Sequence, residues 1–245
     1  MKRCQVIILF ALIAAATAIS TATNENTPEL WQKALKLFSA NKDWIPGNII
    51  QRTELFTEQG KPESTHEVWI EYKKDDKEKI TSEIVKVIKD SKNVTDEFKK
   101  EQSKKQKKKD KEDSASFELN DNPFNPDLQK NVSIKVTNET QRISGKNCTG
   151  FEFSQKVEFR ENDKKLTVTN RGKAWLDKET GYPLKLEYTF DPLPKRMKSI
   201  WTIILYEVTP EGNWYAKEMI MDGEAGFLFI KKKFHTLITF NNFWK

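Results

Sequence analysis

The sequence predicts a mainly β protein. It reads as one antiparallel sheet of roughly nine to eleven strands, strongly curved because sheets of this size curl, preceded by a single amphipathic helix. Three observations carry this reading. Apolar and polar residues alternate, most clearly at Leu184, Leu186, Tyr188 and Phe190 against Lys185, Glu187 and Thr189. Turn sequences stand where hairpins need them, at Lys178-Glu179-Thr180-Gly181, Pro210-Glu211-Gly212-Asn213 and Asp222-Gly223-Glu224. Strands do not alternate with helices, and no glycine-rich strand-to-helix turn occurs, which argues against a doubly wound nucleotide-binding fold.

The chain opens with Lys2 and Arg3, then an apolar run from Val6 to Ala16, then small residues at Ala16-Thr17-Ala18 and Ser20-Thr21-Ala22. That order predicts a cleaved secretory signal over residues 1–22, with an uncleaved anchor as the alternative. The run is shorter than the roughly 18 residues a membrane-spanning helix needs. Cys4 stands before the apolar run, so a lipid-modified cysteine is not expected. Removing the signal leaves Cys148 alone, which forbids an internal disulfide. A bacterial periplasm fits such cysteine usage better than eukaryotic secretion. Residues 23–245 are expected to form one domain and a monomer.

Pro28 to Phe38 predicts the helix. Thr27 can cap it, Pro28 suits its first position, and Leu30, Trp31, Ala34, Leu37 and Phe38 fall on one face. Strands are expected at Ile49–Phe56, Glu67–Lys73, Ile80–Ile88, Val132–Thr137, Thr149–Arg160, Lys165–Asp177, Leu184–Phe190, Ile200–Val208, Trp214–Met221 and Phe227–Phe240. One stretch interrupts them. Residues 99–113 contain no apolar side chain, and Asn93-Val94-Thr95 can start a short helix. The expectation is a charged, mobile insertion at about 95–115, solvated because acidic residues interrupt its lysines. The sharper reading makes it a patch for anionic lipid heads.

Composition removes several functions. Forty-two Lys and Arg against 36 Asp and Glu give a formal charge of +6. This is a mixed, solvated surface and not the one-sided basic footprint of a nucleic-acid binder. The two histidines, His66 and His235, fall in different predicted strands, and no zinc-type spacing of His or Cys is present. There is no Gly-x-Ser-x-Gly elbow and no phosphate loop. Cys148 has no defined histidine partner, so it reads as a small strand residue. No cofactor and no enzymatic activity are expected; a hydrolase with an unrecognised carboxylate pair is the alternative.

What stands out is the aromatic load: 15 Phe, 7 Trp and 5 Tyr in an otherwise polar chain. It concentrates in the last three predicted strands. Two readings follow: an ordinary core covered by the helix, or a concave apolar cleft for lipid or acyl chains. The cleft reading selects Leu184, Leu186, Tyr188 and Phe190, then Ile204 and Tyr206, Met219 and Met221, and Phe227 and Phe229. Trp31, Leu35 and Phe38 would plug it from the helix.

Lys173 to Glu187 reads Lys-x-Trp-Leu-Asp-x-x-Thr-Gly-x-Pro-Leu-x-Leu-Glu, with Asp177, Thr180, Gly181, Pro183, Leu184 and Leu186 at its key positions. Together with the signal, the leading helix and the meander, this stretch resembles the bacterial outer-membrane lipoprotein-sorting superfamily, the LolA/LolB-like periplasmic carriers. The resemblance implies an open, half-closed antiparallel β-barrel with helices plugging its concave side. It also implies a periplasmic carrier of lipid or lipoprotein acyl chains that serves lipoprotein or lipid sorting to the outer membrane. The Arg-Pro strand entry of the well-studied carriers is missing. The alternative on the same fold is an envelope sensor or scaffold that binds another protein.

Overall fold

A computed structural model describes residues 28–74, 79–106, 122–161, 164–193, 196–227 and 230–245. The expected signal over residues 1–22 lies outside them. No helix among the described residues is long and apolar enough to cross a membrane.

Helix α1 spans Glu29–Asn41. Pro28 stands one position earlier than expected, as the residue before the first turn, and its carbonyl accepts from the Gln32 N–H at 3.1 Å. Glu29 suits the positive end of the helix and pairs with Lys33 one turn on, at 2.8 Å. The buried residues Trp31, Ala34, Leu35, Leu37, Phe38 and Asn41 form one stripe. At the helix end the Asn41 amide donates to the Leu37 carbonyl and its Oδ1 accepts from the Trp214 N–H, tying the helix to the sheet.

Eleven strands follow: β1 (Asn48–Thr57), β2 (Pro62–Lys74), β3 (Ile80–Lys89), β4 (Lys92–Asn93), β5 (Val132–Ile143), β6 (Lys146–Glu161), β7 (Lys164–Asp177), β8 (Pro183–Asp191), β9 (Met197–Val208), β10 (Trp214–Phe227) and β11 (Ile230–Asn241). They form one antiparallel sheet in the order β4-β3-β2-β1-β11-β10-β9-β8-β7-β6-β5. The chain therefore enters in mid-sheet and runs out to one edge at β4. It crosses to the opposite edge at β5, and then meanders back until β11 seats against β1. The sheet is not closed, because β4 and β5 remain its edges.

Curvature follows from the core. Side chains from β1 (Ile49), β6 (Phe151), β8 (Leu186), β9 (Ile204) and β11 (Phe240) share one buried cluster with α1, and Ile70 of β2 and Ile134 of β5 pack against it. At about 4.8 Å per strand, nine strands laid flat would extend some 38 Å. A 13-residue helix is only about 20 Å long. The sheet must curl around α1 for these residues to meet on it.

Two sequence expectations change here. Asp222-Gly223-Glu224 is not a turn: it lies inside β10, in register with β9 and β11, and the hairpin falls after Phe227. A Cβ on Gly223 would come within 2.5 Å of the Phe234 ring and 2.7 Å of the Ser199 carbonyl. The glycine therefore serves close packing within a strand and not a reversal. The charged insertion also divides. Thr95–Gln106 is a helix, α2, whose root is fixed to β3: the Val87 N–H donates to Thr95 Oγ1 at 2.8 Å, and Lys99 pairs with Glu83. Phe98 sets its ring 6.2 Å from His66. The remainder of the insertion, residues 107–121, lies outside the described residues.

Candidate functional site

The half of the sheet beneath α1 is filled. Trp31 is fully buried against Phe124 and Phe151, with ring centroids 4.9 and 5.7 Å away. Phe124 comes from the segment that returns the chain to β5. There the Phe124 N–H donates to Asn122 Oδ1, and the Gln129 amide donates to the Pro123 and Asn125 carbonyls while its Oε1 accepts from the Trp31 indole. Asn122 also donates to the Tyr206 hydroxyl at 2.9 Å. Burial drives the Tyr206 phenol far above its ordinary pKa, the bond from Asn122 opposing this only in part. Tyr206 in turn stacks on Trp214 at 4.5 Å, and the Trp214 indole donates to the Pro183 carbonyl.

The Asp-x-x-Thr-Gly turn locks this half in place. Asp177 Oδ1 accepts from the Glu179 N–H, its Oδ2 from the Thr180 hydroxyl and from Lys146, and its carbonyl from the Gly181 N–H. Burial pushes the Asp177 carboxyl upward, but the bonds from Thr180, Glu179 and Lys146 outweigh it and hold the group below the usual carboxylate range. Gly181 has φ of +77°, and a Cβ there would lie 2.7 Å from Lys33 Cβ of α1. The turn is thus a seat for the helix.

The open space lies where β8 and β9 part. Their ladder holds only four pairs, from Lys185↔Leu205 to Tyr188↔Thr202. Beyond that point the Thr189 hydroxyl still reaches the Ile200 carbonyl at 2.7 Å, but the strands pair only with their outer neighbours, β7 and β10. A cleft of about 810 Å³ occupies this end of the sheet, lined by the apolar side chains Phe56, Phe190, Leu193, Ile200, Trp201 and Phe234. Asp191, Lys198, Asp222, Glu224, Lys233 and His235 also line it. His235 Nδ1 lies 2.8 Å from Asp222 Oδ1, an exposed pair. Among the described residues no group of three or more His, Cys, Asp or Glu gathers to hold a metal. Cys148 is buried beside Trp175, and burial, with Asp177 nearby, raises its thiol pKa.

The expected cleft residues therefore separate. Trp31, Leu35, Phe38, Leu186, Ile204 and Tyr206 meet as packed core, with Tyr188 and Met219 against them. Leu184 leaves the set. A bulge pairs Trp175 with Lys185 but Leu176 with Pro183, so Leu184 has no partner on β7, the alternation breaks, and it packs with Trp175 and Cys148 instead. Phe190 lines the open cleft. Met221 shares the face of Met219, opposite Thr202 and Thr236. The Phe227 side chain and all of Phe229 lie outside what is described. Sequence reasoning missed Phe124, whose only signal was a lone aromatic between two prolines. It also missed the cleft's Phe56 and Leu193, which stand next to turns.

No protein-family model matches the chain, and no curated protein does. Among solved structures, a DUF1329 family protein from Desulfovibrio piger aligns over 87% of this chain and 90% of its own, at 12% identity and a TM-score of 0.34. The Pseudomonas aeruginosa MucA/MucB complex aligns over 86% and 93%, at 10% identity and a TM-score of 0.27. MucB in complex with periplasmic MucA aligns over 85% and 92%, at 11% and 0.22.

Proposed function

We propose that this is an exported, periplasmic binding protein, a carrier and not an enzyme, that takes an apolar chain such as a lipid acyl group into the cleft between β8 and β9. One observation carries the proposal. The β8–β9 ladder stops at Tyr188↔Thr202, and a cleft of about 810 Å³ opens there, where Phe190, Ile200, Trp201 and Phe234 stand among charged residues such as Lys198 and Asp222, within the size range of small-ligand sites. The order of residues 1–22 supports export. The plugged half under α1 supplies the rigid frame, and the parted strands supply the adaptable wall.

Uptake of the apolar probe 1-N-phenylnaphthylamine and of a fluorescent fatty acid by the purified protein tests this. The expected result is saturable uptake with a blue shift in tryptophan emission, a shift that Trp201→Phe should remove. No uptake, together with no lipid found by mass spectrometry after purification from the native envelope, overturns it. A protein partner is the second reading, favoured by Leu193 and Trp201, which are 36% and 41% exposed at the same cleft. Probe uptake that an envelope protein fraction abolishes, without lipid in the purified material, would select it.

A further inference from the structure

Gln155 on β6, Asn170 on β7 and Thr202 on β9 are only 1%, 7% and 1% exposed. Yet both amide atoms of Gln155, Oδ1 of Asn170 and the Thr202 hydroxyl have no hydrogen-bond partner among the described residues. Buried polar groups are rarely left unpaired, because losing water without a replacement bond is costly. All three share the face of Leu186 and Ile204. Gln155 stands opposite Asn170, Asn170 opposite Phe190, and Thr202 opposite Tyr188. Phe190 and Ile200, two residues from Thr202 on the same face, are walls of the cleft. The Tyr188 and Phe190 rings, edge to face at 5.5 Å, lie between the two polar positions.

The chemistry of these atoms restricts what they can hold. Two are amide oxygens, which accept only, and Gln155 Nε2 donates, so a partner for all of them must bring O–H or N–H groups as well as an acceptor. A carboxylate has none to bring, and a buried anion needs cationic donors. The cross-strand neighbours of Gln155 and Asn170, besides each other, are Val132 and Phe190, neither of them charged; the cations that line the cleft, Lys198 and Lys233, belong to β9 and β11 and not to β6 or β7. We infer that the ligand is an uncharged amphiphile: its chain lies in the β8–β9 cleft, and its hydroxyl- or amide-bearing head bonds to Asn170 and Gln155, the facing pair next to Phe190. This rests on the carrier reading and narrows it to neutral heads such as a monoacylglycerol or an N-acyl amide.

Displacement of 1-N-phenylnaphthylamine by monooleoylglycerol and by ionised oleate, on the full chain, tests the inference. The wild-type protein should prefer monooleoylglycerol by about tenfold or more, since a site built to bond a hydroxyl rejects the analogue without it. Gln155→Leu and Asn170→Leu should each lose about tenfold in monooleoylglycerol affinity, keep probe uptake, and melt no lower than wild type, because each removes an unpaired group. Gln155→Met, unbranched and nearly the same size, serves where the leucine variant misfolds. Equal binding of oleate and monooleoylglycerol, or variants that keep the preference, overturns the inference while leaving the carrier reading intact. Absence of probe uptake by the wild type removes both.

Discussion

Trp31 and Phe124 lie 4.9 Å apart between ring centroids, tilted by 48°, and neither is exposed. One ring comes from the helix ahead of the sheet. The other comes from the segment that brings the chain back from the far edge. Each closes the other's side of the core. Phe124→Ala should therefore cost about 3–5 kcal/mol, as expected for a fully buried aromatic. Urea unfolding measures this, and a loss under about 1 kcal/mol would show that the returning segment is not part of the core.

Gly181 joins the turn to the helix. Its φ of +77° disfavours any side chain, and Lys33 Cβ occupies the space a methyl would need. Gly181→Ala should destabilise by at least about 1–2 kcal/mol, the left-handed backbone alone accounting for that much. Thermal melting of the variant would reveal it.

Asp177 predicts behaviour in acid. Its folded-state pKa is depressed, so the stability it contributes is present above the unfolded value, near pH 4, and is lost as pH falls through the folded value. Asp177→Asn should lower stability at neutral pH and flatten the acid limb of a stability–pH profile below about pH 4. An unchanged slope in that limb would show that the carboxylate is not held as described.

Tyr206 predicts the alkaline limb, with the opposite sign. Its folded pKa is raised by burial, so its contribution is complete below the unfolded value near 10 and declines as pH rises above it. In a spectrophotometric titration one phenol should ionise only on unfolding, and Tyr206→Phe should remove that step. The same variant leaves the buried Asn122 amide without its partner, at a cost of about 1–3 kcal/mol at neutral pH.

Two tryptophan substitutions separate core from cleft. Met219 packs against the filled half, so Met219→Trp should overpack it and cost about 1–3 kcal/mol. Ser199 is exposed and lines the cleft. Ser199→Trp should change stability by less than about 0.5 kcal/mol while blocking probe uptake. Paired unfolding and uptake measurements distinguish the two.

The sheet was legible wherever one face is apolar and the other polar. Leu186 and Tyr188 against Lys185 and Glu187 announced β8 and its inward face, and the stripe of α1 announced its cover. Three physical facts lay beyond that pattern. A bulge in β8, opposite Trp175 and Leu176, turned Leu184 out of the row its alternation assigned, and a bulge is a register event that depends on the neighbouring strand. Gly223 signalled a turn but answers to the ring of Phe234 across β11. The cleft depends on where two strands stop pairing, and nothing in Thr189 or Ile200 taken alone announces that they part. The candidate site was thus half legible: its apolar face could be listed, but most of the residues chosen became packed core, and the open space lay one step further along.

The place of β1 in mid-sheet has a consequence for assembly. The early strands, β1 to β4, connect in the sheet to the later ones, β5 to β10, only through β11, near the end of the sequence. Two half-sheets can form from local hairpins, but the clasp between them waits for the last strand, and closing so long a loop is the slow, entropically costly step. A chain of this kind cannot finish folding while most of it has been made and the remainder has not. If the chain is exported as proposed above, that delay is itself useful: the same pairing that unites the folded sheet keeps the unfinished chain open for passage through the membrane.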